Sequence, residues 1–298
     1  MEGSEVVSAG CDYITVTTST HDGGFALATW ASSLSRVALD RGFLRQGWGM
    51  AGFSGFSYGQ LQIGRRGDEC MLRLSSDLAR ECWRKAYALS ENVSRFDLQF
   101  THREKRDPHF RIKKYYRQAL KHSKSRKNGP IVTFITGSRG ADTLYLGNRQ
   151  SDWYGRIYNK HAQSKLSFYQ GCVRFEVEFH NRLARSVAKA CYNAKHDSTA
   201  AIAGVNQFIT NRMVQSPIKS NHLLSIEISP KRGTLDDRLD WLRVQARGSC
   251  QQIVLAGRGR ELLKSLGLCM SGNTLRCCLP THGECWPTQK GTQDDANL

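Results

Sequence analysis

Two segments of this chain alternate in polarity with a period of two, and that pattern restricts them to strands with one buried face. In CVRFEVEF at 172–179, Val173, Phe175, Val177 and Phe179 point one way, and Arg174, Glu176 and Glu178 point the other. In the stretch TLYLGNRQSDWYGRIYNK at 143–160, Tyr154, Arg156, Tyr158 and Lys160 share a face, with Ile157 opposite. Carboxylates, guanidinium groups, an ammonium and phenols are thereby predicted to collect on one side of a sheet. Such a set suits phosphodiester chemistry: carboxylates for a divalent metal, cations for phosphate and a phenol as nucleophile.

The chain has 298 residues, of which 43 are Lys or Arg and 26 are Asp or Glu, a formal charge of +17. A surplus of that size points to a polyanionic partner, most simply nucleic acid. A hydrophobic content of 40% still leaves material for a real core. No apolar run reaches the ~20 residues needed to cross a bilayer. The opening MEGSEVVSAG has neither the basic nor the hydrophobic region of a secretory signal. Ten cysteines are scattered, several inside apolar periodic segments, which predicts free thiols in a reducing cytoplasm and no disulfide framework.

The pattern predicts an α+β fold: an antiparallel-rich sheet carrying the active site on one face, flanking helices and a helical C-terminal region. Strands are expected at 11–18, in a hairpin within 48–66, and at 71–74, 93–100, 131–135, 143–146, 154–159 and 173–179. Helices are expected at 27–41, 76–89 (capped by Ser75 or Ser76), from Pro108 to about His122, at 182–192, around 200–214, and at 236–247 and 251–266. The expected division is a catalytic domain over 1–198, a helical region over 199–275 and a disordered tail over 276–298. No internal repeat is visible.

Four segments together resemble the replication-initiation family of rolling-circle plasmids and filamentous phages, the Rep_trans type, which also includes relaxases of conjugative elements. They are DYITVT at 12–17, RFDL at 95–98, YLGNRQSD with RIYNK between 145 and 160, and RFEVE at 174–178. DWLRVQ at 240–245 and LLKSLGL at 262–268 are similar to the family as well. The resemblance implies a site-specific DNA endonuclease and ligase whose tyrosine becomes linked to the 5′-phosphate at the origin, with Mg2+ or Mn2+ as cofactor. It implies double-stranded origin DNA and a nicked single strand as partners, in a bacterial host cytoplasm. Many relatives carry a second acidic residue where this chain has Thr101, so the third metal ligand is left open between His102 and Glu178.

Roles follow from the two lines of reasoning together. Tyr158 is the expected nucleophile, with Tyr154 and then Tyr145 as alternatives. Arg156 and Lys160, at two-residue spacing on either side, are placed to bind the scissile phosphate and to ease loss of the phenolic proton. Asp97, Glu176 and Glu178 are the expected metal ligands, the two glutamates about 7 Å apart along one strand. The plainer alternative pairs these carboxylates with Arg95 and Arg174 in solvent. Arg111, Lys113, Lys114, Tyr115, Tyr116, Arg117 and Lys121, with Arg149, form the candidate DNA-tracking surface. Arg149 and Asp152 are also expected to fix their turn. Cys277, Cys278, His282 and Cys285 have zinc-ligand chemistry without ligand-pair spacing. The absence of a phosphate-binding loop motif leaves strand separation to a partner helicase. A conjugative relaxase and a DNA-binding regulator that has lost catalysis are the rival functions.

Overall fold

Alternation of this kind forms strands because each residue that faces the core is followed by one that must reach solvent or a polar partner. The computed structural model describes residues 5–227, apart from 20–23, 51, 126, 128, 138–139, 211–212 and 219–222, together with 268–271 and 274–277. In chain order the elements are β1 (Val6–Ser19), α1 (Phe25–Asp40), β2 (Gln46–Met50), β3 (Phe53–Tyr58), β4 (Leu61–Arg66), β5 (Glu69–Ser75) and α2 (Ser76–Leu89). There follow β6 (Val93–Arg103), α3 (Pro108–Lys124), β7 (Val132–Ile135), β8 (Thr143–Leu146), β9 (Trp153–Asn159), α4 (Lys160–Ser164), β10 (Cys172–His180), α5 (Asn181–Asn193) and α6 (Asp197–Val205). The chain divides into two compact units, Met1–Ser229 and Pro230–Leu298.

The first unit is built on a ten-stranded sheet in the order β2-β3-β4-β5-β1-β6-β10-β9-β8-β7. Every neighbouring pair is antiparallel. One face carries Ile14, Leu74, Phe96, Phe100, Phe175, Phe179, Ile157 and Leu144, all fully buried. Residues of α1, α2, α3, α5 and α6 close over this face in a single core. Each buried phenylalanine contributes roughly 1.5–3 kcal/mol. Gly204 lets α6 lie against β6, since a Cβ there would come within 2.6 Å of Leu98 Cδ1.

An internal duplication corrects the reading of a chain without repeats. β1-α1-β2-β3-β4-β5-α2 and β6-α3-β7-β8-β9-β10-α5 follow the same βαββββα succession, apart from the short α4 inserted between β9 and β10. From either edge inward, the sheet order is the same for each half, so β1 and β6 meet in the middle as a two-fold relationship requires. Ser76 and Asn181, the first residues of α2 and α5, have matching left-handed φ angles of 54° and 52°. Around them SDLAR at 76–80 parallels NRLAR at 181–185. The relationship rests on topology and this short match, neither of which local periodicity reveals.

Boundaries otherwise follow the expected pattern with local differences. Neither Ser75 nor Ser76 caps α2 with its side chain; Gln60 Oε1 accepts from the Leu78 backbone N–H at 3.1 Å instead. Asp107 caps α3 by accepting from the His109 N–H, with Pro108 in the first turn. Cys11, Cys70, Cys82, Cys172 and Cys191 are free thiols. Among the described residues no helix is long and apolar enough to cross a membrane.

In the second unit, β11 (Leu268–Ser271) and β12 (Thr274–Cys277) form an antiparallel hairpin. The helices expected at 236–247 and 251–266 lie outside the described residues, as do Cys278, His282 and Cys285.

Candidate active site

Strand register assembles the polar face. Across β6 and β10, Asp97 stands opposite Glu178 and Thr101 opposite Arg174. Across β10 and β9, Arg174 stands opposite Tyr158 and Glu176 opposite Arg156. Directly paired residues point to the same side of a sheet, so Tyr158 and the three carboxylates share the face that the helices do not cover.

Tyr158 donates a hydrogen bond from its hydroxyl to Glu176 Oε2 at 3.0 Å. Arg156 Nη2 binds the other oxygen of the same carboxylate. The pair opens onto a cleft of about 350 Å³ whose lining includes Asp12, Asp142, Tyr145, Tyr158, Lys160 and Glu176. Burial, and then the Glu176 charge, hold the Tyr158 phenol well above its usual pKa, with Arg174 and Arg156 opposing them. Tyr158 is 8% exposed. A group so placed releases its proton only when a base and positive charge are at hand, and both are adjacent.

The remaining carboxylates gather round Arg95. Its guanidinium reaches Asp97 at 2.6 and 2.9 Å and Glu178 at 2.7 Å. His180 Nε2 lies 3.0 Å from Glu178 Oε1. Burial pushes the Asp97 carboxyl up to about 7 against the pull of Arg95, and the charges on Glu176 and Glu178 add to the rise. Burial acts on Glu178 in the same direction, but His180 and Arg95 outweigh it and hold that carboxyl below its usual value.

Hard carboxylate oxygens are the right donors for magnesium or manganese. In the present arrangement no three of the described His, Cys, Asp and Glu side chains converge as a metal-binding group. The Arg95 guanidinium instead stands as a cation between Asp97 and Glu178, on a carboxyl that favours its proton near neutrality. The face therefore supplies the donor type a divalent cation takes, with the Arg95 guanidinium now on two of the three carboxylates.

Several expected placements need correction. Lys160 is not a strand residue: β9 ends at Asn159, whose side-chain oxygen caps α4 by accepting from the Ala162 N–H. Lys160 nevertheless lines the cleft, and burial, followed by the Arg174 charge, lowers its pKa to about 8. His102 cannot serve as the third ligand, because it points to the helix-covered face with Phe100 and Phe175 and bonds Glu104 at 2.7 Å. Tyr154 stacks on Tyr145 with centroids 5.7 Å apart, and Arg149 lies over its ring. Asn148 fixes the turn that Arg149 and Asp152 were expected to hold, accepting from the Gln150 N–H and from Ser151 Oγ.

The basic segment also divides. Tyr115 is 2% exposed and meets Phe175 edge-on in the core, so it offers no ring to a base. Tyr116 stacks on Phe134 at 5.1 Å. Arg111 is tied to Glu104 at 2.8 Å, and Lys113 is half-buried. Lys114, Arg117, Lys121 and Lys124 are exposed along one stripe of α3.

The model of the replication initiation factor family matches residues 91–261, more than half of the chain. This chain belongs to the replication initiation factor family. No curated protein matches it. Among solved structures, a rolling circle replication initiator protein from Geobacillus stearothermophilus is similar at 17% identity, covering 73% of this chain and 92% of its own, with a TM-score of 0.47.

In this member of the family, the matched span holds every expected metal and nucleophile residue and none of the first half of the duplication. Sequence reasoning gave no catalytic role to Arg174, which stands opposite Tyr158, or to Asp12 and Asp142, which line the cleft. Arg174 bonds Thr101 at 2.8 Å and approaches Asp12 at 3.4 Å. Asp12 also takes Arg80 at 3.3 Å. Asp142 bonds His109 through one oxygen, while Oδ1 is buried without a hydrogen-bond partner among the described residues. Asp12 sits inside the DYITVT motif and could have been found there. Asp142 has no local signal, because α3 brings His109 to it from 33 residues away.

Proposed function

We propose that this replication initiation factor is a site-specific single-strand DNA endonuclease and ligase that starts rolling-circle replication. The hydrogen bond from Tyr158 to Glu176, at the edge of a cleft to which Arg156 and Lys160 contribute positive charge, carries this reading. Glu176 accepts the phenolic proton as Tyr158 Oη attacks phosphorus. The new O–P bond replaces the bond from phosphorus to the 3′-oxygen, which departs and takes a proton from water to become the hydroxyl that primes synthesis. The 5′-phosphate stays on the tyrosine, and reversal of the step rejoins the strand. Arg156 and Lys160 bind the non-bridging phosphate oxygens, and Arg174 steadies the phenolate. Asp97 and Glu178, with Glu176 beside them, would hold Mg2+ or Mn2+. Such a cation polarises the phosphate when bound.

A nicking assay on supercoiled origin DNA in magnesium tests this, comparing wild type with Tyr158→Phe and Tyr154→Phe. Loss of nicking and of the covalent 5′ adduct in Tyr158→Phe alone is the expected result. Full activity in Tyr158→Phe would sink the assignment. Tight origin binding without cleavage by the wild type would leave a DNA-binding regulator.

A further inference from the structure

The duplication sets the chemistry of the two halves side by side on one sheet face. By register, the positions of Asp97, Glu176 and Glu178 correspond in the first half to Thr15, Met71 and Arg73. Those of Arg156 and Tyr158 correspond to Gly64 and Arg66. The first half thus has no counterpart to any of the three carboxylates or to the nucleophile, and one carboxylate position carries an arginine.

What stands there instead is a run of rings and guanidinium groups. Arg95, bound to Asp97, lies 4.1 Å from the centroid of Tyr13. Arg73 lies 5.6 Å from the same ring and 5.3 Å from Trp48. The order Arg95, Tyr13, Arg73, Trp48 leads away from the catalytic carboxylates along the same face. Trp48 reaches inward from β2 because Gly55 faces it across the strand pair and Gly64 lies beneath it. A Cβ on Gly64 would come within 2.8 Å of the indole. Tyr13, Arg73 and Trp48 are all half-buried, so part of each remains open.

Arg73 differs from the other arginines of this face. Arg66, Arg95, Arg156 and Arg174 each reach a carboxylate. Among the described residues Arg73 meets only Gln62 at 3.0 Å, Met50 Sδ at 3.5 Å and the two rings. Its Nε is buried without a hydrogen-bond partner among the described residues. A guanidinium among aromatic faces with no counter-anion has the chemistry of a phosphate site flanked by base-stacking platforms.

We propose that the first half of the duplication is a holding platform for single-stranded DNA, with Arg73 on a phosphate and Trp48 and Tyr13 against bases. The platform rests on the nicking function proposed above, as the strand it holds is the one opened beside Tyr158. Single-stranded DNA fits better than duplex because stacking requires bases freed from their partners.

The test measures binding of a fluorescein-labelled oligothymidine to the full-length protein by anisotropy, together with quenching of tryptophan emission. The proteins are wild type, Trp48→Leu, Trp48→Phe and Arg73→Gln, each checked for wild-type circular dichroism and melting temperature. Trp48→Leu and Arg73→Gln are expected to weaken single-strand binding roughly tenfold, with duplex affinity within twofold of wild type. Trp48→Phe, which keeps a ring, is expected to restore most of the affinity. If Trp48→Leu destabilises the edge strand, Arg73→Gln alone decides. Wild-type single-strand affinity in Arg73→Gln, or equal losses for single-stranded and duplex DNA, would overturn the platform. Because binding is read without cleavage, an inactive wild type that still loses single-strand affinity on Arg73→Gln would overturn only the nicking function.

Discussion

Tyr158 and Glu176, on adjacent strands and offset diagonally in register, are joined by a 3.0 Å hydrogen bond from phenol to carboxylate. This contact gives Glu176 two opposed effects. Its charge helps to keep the phenol protonated at rest, while its oxygen is the nearest acceptor when the proton leaves. Glu176→Gln therefore separates the two. Nicking is expected to fall by roughly 10²–10⁴-fold, the usual worth of a positioned base. The Tyr158 titration, followed by ultraviolet difference spectra against Tyr158→Phe, is expected to move to lower pH. An unchanged nicking rate would remove Glu176 from proton transfer.

Asp97 makes stability depend on pH in an unusual direction for a carboxylate. Its folded pKa, near 7, exceeds the unfolded value of about 3.9. The folded state therefore holds the extra proton across that window. Its contribution is complete below about pH 4 and is lost as pH rises through 7. Urea unfolding from pH 4 to 8 is expected to show wild type losing stability relative to Asp97→Asn, with a constant difference above that range. Magnesium added at pH 8 is expected to stabilise the wild type more than the variant.

Lys160 links the cleft to DNA affinity. With its pKa lowered to about 8 by burial and Arg174, it loses its charge within the working range. Binding of origin DNA by Tyr158→Phe protein, which cannot cleave, is expected to weaken above pH 8 by up to about tenfold per pH unit. Adding Lys160→Arg to that protein should flatten the profile. A profile unchanged by the arginine would assign the dependence elsewhere.

The exposed stripe on α3 is expected to meet the DNA backbone. Replacing Lys114, Arg117, Lys121 and Lys124 with glutamine should lower the slope of log affinity against log salt by up to about 3, as each phosphate contact contributes about 0.7–0.9. Thermal stability should hardly change, because these side chains lie in solvent.

The sequence showed what depends on period two. Alternation in 172–179 put Glu176 and Glu178 on one face and Phe175 and Phe179 on the other, as the sheet has them. Features that depend on a change of element were harder to see. Lys160 extends the alternation, yet Asn159 is a strong helix cap and turns the chain there. Tyr115 shares its helical face with Pro108, Ile112 and Ala119, the buried positions of α3, and that spacing marks a core residue despite the surrounding cations. The register between β1 and β6, the duplication it joins and the Asp142–His109 contact depend on long-range pairing, which leaves no trace in a local window.

The joint between the two halves has a practical consequence. β1 and β6 pair at nine positions along the middle of the sheet, while the family match begins at residue 91. A fragment cut to that match would carry the expected nucleophile and metal ligands but strip one flank of β6, leaving a long unprotected edge rich in phenylalanine and leucine. Such an edge recruits other chains, so a fragment trimmed to the catalytic half should come out of the cell as aggregate.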